Sequence, residues 1–375
     1  MGPPPTATQL STYTPGMTPG RPREAVLRLA GYRPGKAASQ AEEEHGIDNA
    51  IKLASNENPY SPVPAVAQAM ADAIAGVNRY GDNNATDVRA ALSEWIGVDA
   101  DHLTVGCGSS GILQQLFFAY VDAGDDVVFP WPSFEIYPVF STLFDANAIQ
   151  VPLADHAFDM GAVAAAVTES TKIIFLATPN NPTGTSTSMD AVAELLAQVP
   201  NDTLVVIDEA YREFNDPAFG DPVDLLKAGH RNLVITRTFS KAYGLAGLRT
   251  GYAIADPAVV AELDKVRLAF SVNNIAQAAT VAAIEHRDAA MEKVAGLTAE
   301  RERCHGALAD AGWDLPPAHA NFVWIPTEAR TEEIYLAMEK VGVVTRPFPG
   351  VGLRVTVSTP EENDRWLAAF LAATS

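Results

Sequence analysis

Three short polar segments of this 375-residue chain contain side chains that could act together on an amine or a carbonyl group. They are residues 178–184 (Thr-Pro-Asn-Asn-Pro-Thr-Gly), residues 208–211 (Asp-Glu-Ala-Tyr) and residues 238–249, which contain Ser240-Lys241 and end at Arg249. A lysine amine can form an imine with an aldehyde and later carry a proton between two carbons. A carboxylate can keep a pyridine nitrogen protonated, and a guanidinium group can bind a phosphate. These are the parts that amine transfer on a pyridine aldehyde requires.

Each polar segment directly follows an apolar stretch that we predict to be a strand, at 172–177, 203–207 and 233–237. Short apolar strands alternate with helices from residue 51 to residue 254, which predicts an α/β fold whose mostly parallel central sheet is covered by helices on both faces. Open sheets of this kind bind ligands beyond the carboxyl ends of their strands. We therefore expect the three segments to meet there.

The pattern becomes mainly helical after about residue 257, and the tail then adds short strands and helices, which predicts a smaller α+β domain. We expect a flexible, Pro/Thr/Gly-rich arm at 1–22, an N-terminal part of the small domain at 23–50, a large cofactor-binding domain at 51–274 and a C-terminal small domain at 275–375.

Composition excludes several classes of partner. Because 46 acidic residues outnumber 26 Lys and Arg, the net charge is −20, which argues against binding to nucleic acid or anionic lipid. No apolar stretch is long enough to span a bilayer. Two cysteines provide no disulfide framework, and seven histidines lack metal-ligand spacing, so no metal is expected. With no secretory signal visible, we expect a cytoplasmic protein.

Residues 106–111 (Gly-Cys-Gly-Ser-Ser-Gly) match the dinucleotide motif G-x-G-x-x-G. That interpretation also requires an acidic residue at the end of the next strand, to bind a ribose hydroxyl. The next strand ends Val-Val-Phe-Pro-Trp at 127–131, without a carboxylate. We therefore expect the small residues to expose backbone N–H groups to a single phosphate instead.

Taken together, the motifs resemble those of the fold-type I aminotransferases that use pyridoxal 5′-phosphate (PLP), in the histidinol-phosphate aminotransferase family. The similarity extends over nearly the whole chain and is most specific in the lysine segment. It is carried by residues 55–59 (Ser-Asn-Glu-Asn-Pro), 79–80 (Arg-Tyr), 106–111, 180–184, 208–211, 240–252 and 352–354 (Gly-Leu-Arg). Segments 31–35, 105–109, 128–137, 237–243 and 345–353 look most like the actinobacterial aromatic amino acid aminotransferases.

The resemblance implies roles for individual residues. Lys241 would bind PLP covalently, Asp208 would pair with the pyridine nitrogen, and Asn181 and Tyr211 would hydrogen-bond the phenolic oxygen. Phe134 would stack on the ring; its alternative is ordinary core packing. The cofactor phosphate would be bound by Gly108, Ser109, Ser110, Thr238, Ser240 and Arg249. The family often has Asn or Asp at the position of Ser110, which leaves the side-chain contacts of Ser110 open.

Further implied roles concern the substrate and the oligomer. Arg354 would bind the anionic group of the substrate, with Asn181 beside it, and Arg346 is the additional cation nearby. Tyr32 corresponds to an N-terminal tyrosine that the family brings to the substrate. Tyr80 would reach the cofactor phosphate of a neighbouring subunit, which implies a homodimer with shared active sites.

We therefore expect transamination of phenylalanine, tyrosine and tryptophan with 2-oxoglutarate as acceptor. The alternative donor is histidinol phosphate, whose phosphate Arg354 could equally hold. The same parts could serve a PLP decarboxylase acting on a phosphorylated amino acid. A transcription regulator built on this fold would need an additional DNA-binding domain, which a proline-rich arm cannot be.

Overall fold

A computed structural model of the chain describes residues 20–29 and 35–375. The α-helices are α1 Glu24–Leu27, α2 Ala38–His45, α3 Pro64–Ala73, α4 Thr86–Ile96, α5 Gly108–Tyr120, α6 Ile136–Leu143, α7 Met160–Ala165, α8 Met189–Leu196, α9 Pro222–Lys227, α10 Pro257–Val266, α11 Asn274–Glu285, α12 Arg287–Asp310, α13 Thr331–Lys340 and α14 Pro360–Thr374. The strands are β1 Ile51–Lys52, β2 Leu103–Cys107, β3 Asp126–Trp131, β4 Asn147–Pro152, β5 Thr171–Ala177, β6 Leu204–Asp208, β7 Leu233–Thr238, β8 Thr250–Ala255, β9 Phe322–Ile325, β10 Val343–Val344, β11 Arg346–Phe348 and β12 Gly352–Thr356.

The central sheet contains seven strands in the order β2-β8-β7-β6-β5-β3-β4. Strand β8 is antiparallel to both of its neighbours, whereas β7, β6, β5, β3 and β4 pair in parallel. This arrangement confirms the predicted α/β fold with a mostly parallel sheet. Strands β5, β6 and β7 are adjacent, so the three polar segments that follow or end them lie at one edge of the sheet.

The sheet separates two hydrophobic cores, because alternate side chains of a strand point to opposite faces. In β5, Ile174 and Leu176 pack in one core, while Ile173 and Phe175 pack in the other. Both faces are covered, so β5 reads as a continuous apolar run rather than as an alternating one. The same reason made β6 and β7 recognisable in the sequence.

The C-terminal part forms a three-stranded antiparallel sheet in the order β11-β12-β9. Strand β1 pairs in parallel with β10, far along the chain, and does not join the seven-stranded sheet. Consequently residues 53–58, which follow β1, run between the C-terminal strands and the central sheet. Hydrogen bonds from Thr356 N to Leu53 O and from Asn56 N to Thr356 Oγ1, both 2.9 Å, hold them there.

Three elements between residues 136 and 165 were not predicted, namely α6, β4 and α7. Strand β4 is the last strand of the sheet and is partly exposed, so it lacks the apolar run that marks the inner strands. Within the parts of the chain described, we find no helix with the length and apolarity needed to cross a bilayer. Residues 1–19 of the predicted arm lie outside the described residues, as does Tyr32.

Candidate active site

The three polar segments meet at one cavity of ≈ 260 Å³ beyond the carboxyl ends of β5, β6 and β7. Most of the predicted site residues line it. Those residues are Ser109, Ser110, Phe134, Asn181, Asp208, Tyr211, Thr238, Ser240, Lys241, Arg249, Arg346 and Arg354. Residues from six separate segments of the chain thus share one concave site, which is the usual position for ligands in this type of sheet.

Asp208 is the last residue of β6, and its side chain is buried at the base of the cavity. Its Oδ2 accepts a hydrogen bond from the Tyr137 hydroxyl (2.9 Å), and its Oδ1 accepts one from the Thr236 hydroxyl (3.2 Å). Burial raises the pKa of Asp208 to about 6, although these hydroxyls act in the opposite direction. A cationic ring nitrogen beside this carboxylate would favour its ionised form.

Lys241 lies in the loop after β7, and its Nζ donates a hydrogen bond to the carbonyl of Ser55 (3.0 Å). The amine lies 5.8 Å from the centre of the Tyr211 ring. Burial, followed by the nearby Arg354 cation, lowers the pKa of Lys241 to about 7. Near neutral pH a substantial fraction of this amine is therefore unprotonated, as attack on a carbonyl carbon requires.

Hydroxyl and guanidinium groups surround the N-terminus of α5, which contributes Ser109 and Ser110 to the cavity wall. Thr238 donates to the Ser240 hydroxyl (2.9 Å), and Arg249 Nη1 donates to the same oxygen (3.3 Å). The first N–H groups of a helix and an adjacent arginine together favour a bound phosphate.

Two glycines allow this anion site to form. A Cβ atom at Gly251 in β8 would overlap the backbone nitrogen of Ser109 and lie 2.5 Å from the carbonyl carbon of Gly108. Gly108 has a φ of +71°, and a Cβ there would lie 2.5 Å from Nη2 of Arg249. Gly108 is not among the residues that line the cavity, and its lack of a side chain leaves space for the Arg249 guanidinium.

Arg354 lies in β12 and lines the same cavity. Its Nη1 donates to Oδ1 of Asn181 (2.5 Å), and its Nη2 donates to the carbonyl of Ala54 (2.6 Å). The guanidinium carbon lies 5.5 Å from the centre of the Phe322 ring. A planar guanidinium held in this way can accept a carboxylate or a phosphate in a defined orientation.

The sequence analysis gave no role to three of the polar residues found at this site. Asn56 donates to the Tyr211 hydroxyl (2.9 Å), Tyr137 donates to Asp208, and Glu135 forms an ion pair with Arg346 (2.6 Å). Asn56 belongs to the Ser-Asn-Glu-Asn-Pro motif, which therefore carried a usable signal. Tyr137 and Glu135 follow Phe134 closely, but their partners are distant in the chain.

Tyr80 does not line the cavity of its own chain. Its side chain is 82% exposed and stacks on Phe270, with ring centres 4.5 Å apart. This position leaves the ring accessible to a second protein chain. Phe134 does line the cavity and contacts Tyr137 edge to face (5.7 Å between ring centres).

Residues 48–370 match the model of the family described as aminotransferase class I and II, and the chain belongs to this family. It is 43% identical to a protein named aromatic amino acid aminotransferase from Mycolicibacterium vanbaalenii, covering 92% of this chain and 96% of the relative. It is 45% identical to a protein of the same name from Mycobacterium bovis, again covering 92% and 96% of the two chains.

Among solved structures, the chain resembles histidinol-phosphate aminotransferase from Sinorhizobium meliloti in complex with pyridoxal 5′-phosphate. The TM-score is 0.86 at 27% identity, with 96% of this chain and 98% of the other covered. An aspartate aminotransferase mutant from Thermus thermophilus has the same fold, with a TM-score of 0.81 at 23% identity and coverage of 94% and 100%.

Proposed function

We propose that this chain is a PLP-dependent aminotransferase that transfers the amino group of phenylalanine, tyrosine and tryptophan to 2-oxoglutarate. The names of relatives at 42–45% identity support the choice of aromatic substrates. The main support for transamination is that Lys241, Asp208 and the anion site line one cavity in a chain that belongs to the aminotransferase family.

The residues present fit PLP. The glycines at 108 and 251 let the start of α5 pack closely against β8 and Arg249, and Ser109, Ser240 and Arg249 line the cavity there as donors for a phosphate. Asp208 would bind the pyridine nitrogen, Asn181 and Tyr211 the phenolic oxygen, and Phe134 the face of the ring. When bound, PLP supplies an aldehyde and an electron-accepting ring that stabilises negative charge at the substrate α-carbon.

Side chains of the protein would bind the substrate and transfer the proton. Arg354 and Asn181 would bind the substrate α-carboxylate and so orient the amino group towards Lys241. The Lys241 amine, with its pKa near 7, can remove a proton from the α-carbon and return it to a neighbouring carbon. Asn56 would hold the Tyr211 hydroxyl in place for its hydrogen bond.

Histidinol phosphate is the second candidate donor. The resemblance to a solved histidinol-phosphate aminotransferase favours it, but that protein is 27% identical, whereas the relatives with aromatic names are 42–45% identical.

We further propose a homodimer with shared active sites. Apolar side chains at the end of α3 and in the loop before α11 are exposed, with Ile74, Val77, Leu268 and Phe270 between 42% and 76% accessible. Asn274 of α11 connects α11 to the segment after α3, because its side chain donates hydrogen bonds to the carbonyls of Gly76 and Arg79 (both 3.1 Å). An exposed apolar surface around Tyr80 is typical of a protein interface.

We also propose that the chain divides into a large cofactor-binding domain at 51–274 and a small domain formed by 23–50 and 275–375. We also propose a cytoplasmic location, which is supported by two free cysteines, Cys107 and Cys304.

Initial rates of the purified holoenzyme with phenylalanine, tyrosine, tryptophan and histidinol phosphate, each against 2-oxoglutarate, test the proposal. We expect kcat/KM for phenylalanine to exceed that for histidinol phosphate by about tenfold or more, equivalent to about 1.4 kcal/mol of transition-state preference. A tenfold preference for histidinol phosphate would overturn the substrate assignment.

A further inference from the structure

Arg346 and Arg354 lie directly opposite each other on adjacent antiparallel strands, because Arg346 of β11 is paired with Arg354 of β12. Side chains at paired positions of this kind have Cβ atoms about 5 Å apart, and like charges there repel. Both arginines line the active-site cavity. The cavity therefore contains two guanidinium groups at a spacing set by a β-sheet.

The two arginines differ in what binds them. Arg354 is held by neutral oxygens of Asn181 and Ala54, and its side chain is buried within the site. Arg346 instead forms an ion pair with a carboxylate, since its Nη2 lies 2.6 Å from Oε2 of Glu135. Glu135 also lines the cavity, directly after Phe134 in the chain.

The two side chains of this ion pair differ in solvent exposure and in how firmly their backbone is held. The Arg346 side chain is 17% exposed and sits on a paired strand, whereas the Glu135 side chain is 45% exposed and precedes α6 in an irregular segment. A half-exposed carboxylate can move into water at small cost, while a largely buried guanidinium needs an anionic partner. Glu135 is therefore the exchangeable member of the pair.

We infer that Glu135 is a specificity-determining residue that acts as an exchangeable counter-ion for Arg346. With an aromatic amino acid in the site, Glu135 stays on Arg346 and neutralises it beside the uncharged ring. With 2-oxoglutarate or glutamate, the distal carboxylate of the substrate takes the place of Glu135 while the α-carboxylate binds Arg354. This inference rests on the proposed function, because it explains how one cavity accepts both of the proposed substrates.

The exchange avoids an energetic problem that a fixed site would have. A permanently unpaired Arg346 would be costly next to an aromatic ring, and a permanently apolar wall would reject a dicarboxylate. With Glu135 present, Arg346 is paired in both states. The distal carboxylate of 2-oxoglutarate or glutamate then displaces the weakly held Glu135 carboxylate from Arg346, rather than displacing water alone.

Glu135→Gln tests the inference, because it removes the charge and keeps the side-chain size. Single-turnover half-reactions of the holoenzyme, followed by the cofactor absorbance, would be measured with glutamate and with phenylalanine. We expect the ratio of kcat/KM for glutamate to that for phenylalanine to rise about three- to tenfold, the effect of one charge-assisted contact. The matched control is Glu262→Gln, which neutralises a carboxylate paired with Lys265 on the surface of α10 and should leave the ratio unchanged.

Arg346→Gln provides an independent measurement. It should lower kcat/KM for glutamate by a larger factor than kcat/KM for phenylalanine, because only the distal carboxylate of glutamate binds Arg346. In the double variant, the effect of Glu135→Gln should disappear, because Glu135 acts through Arg346. An unchanged substrate ratio in Glu135→Gln, or additive effects in the double variant, would overturn the inference. If the wild-type enzyme fails to react with phenylalanine at all, the proposed function fails instead.

Discussion

The hydroxyl of Tyr137 donates a hydrogen bond to Oδ2 of Asp208 over 2.9 Å, and both side chains are buried. The Tyr137 ring is held by Phe175, on which it stacks with ring centres 4.6 Å apart. The carboxylate proposed to bind the cofactor nitrogen is thus oriented by an aromatic residue that is fixed in the core. Rigid support of this kind is what a buried catalytic carboxylate requires.

Tyr137→Phe should therefore lower kcat/KM by about tenfold, the usual cost of losing a hydrogen bond to a buried charge. The ring and its stacking on Phe175 remain, so the fold should be retained. Absorbance titration of the holoenzyme should show a changed spectroscopic pKa, which a purely structural role of Tyr137 would not produce. As a control, Tyr335→Phe removes a hydroxyl bonded to the buried carboxylate of Glu339, outside the cavity, and should leave both readouts unaltered.

Asp208 should make the stability of the apoenzyme depend on pH. Its pKa is raised from 3.8 to about 6 by burial, so the folded protein binds this proton more tightly than the unfolded chain does. The stabilisation is complete below about pH 4 and is lost as the pH rises through about 6, a difference of roughly 3 kcal/mol.

Asp208→Asn removes this dependence, so thermal melts should show the apo-variant more stable than wild type at pH 8 and similar to it at pH 4. The exposed Asp202→Asn serves as the control and should show no such difference between the two pH values. Equal melting temperatures of wild type and Asp208→Asn at pH 8 would contradict the raised pKa of Asp208.

Lys241→Ala should abolish turnover, and borohydride reduction of the native holoenzyme should attach the cofactor to the peptide that contains Lys241. Because the pKa of this amine is lowered to about 7, the rate at which the apoenzyme binds PLP covalently should rise with pH through about 7 and level off above it. Absorbance changes after rapid mixing measure this rate. The exposed Lys265→Ala should behave like wild type, and a label on any lysine other than 241 would refute the assignment.

Gly251→Ala tests the anion site without changing any side chain that binds the ligand. The added Cβ would press against the backbone of Gly108 and Ser109 at the start of α5. We expect the dissociation constant of PLP to rise about tenfold or more, since overpacking typically costs about 1–3 kcal/mol. Gly296→Ala in α12 is the matched control, because the added carbon would meet no described residue outside the local turn of its own helix within 4 Å. It should leave PLP binding unchanged and stabilise the helix by up to about 1 kcal/mol.

The shared active site predicts complementation between two inactive variants. Mixing Tyr80→Ala with Lys241→Ala chains should give heterodimers in which one site has both residues intact and the other has lost both. Activity should then exceed that of either parent after exchange of subunits. Sedimentation of the wild-type enzyme as a fully active monomer would exclude this arrangement.

Local signals were sufficient for much of the fold. The inner strands β5, β6 and β7 were recognisable because burial on both faces makes them continuously apolar. Helix α6 and the peripheral strand β4 were missed, because a short helix and a partly exposed strand have weaker patterns.

The sequence alone determined which residues could carry the chemistry, because Lys241, Asp208 and Arg249 belong to local motifs. It also indicated that these motifs would meet, because the carboxyl ends of parallel strands lie at one edge of the sheet. Only the tertiary structure decided which distant side chains contact the residues of the site. Asn56 meets Tyr211 across 155 positions and Glu135 meets Arg346 across 211, through the packing of the C-terminal strands against the central sheet. Such contacts depend on distances in the folded chain, which side-chain periodicity along the sequence does not encode.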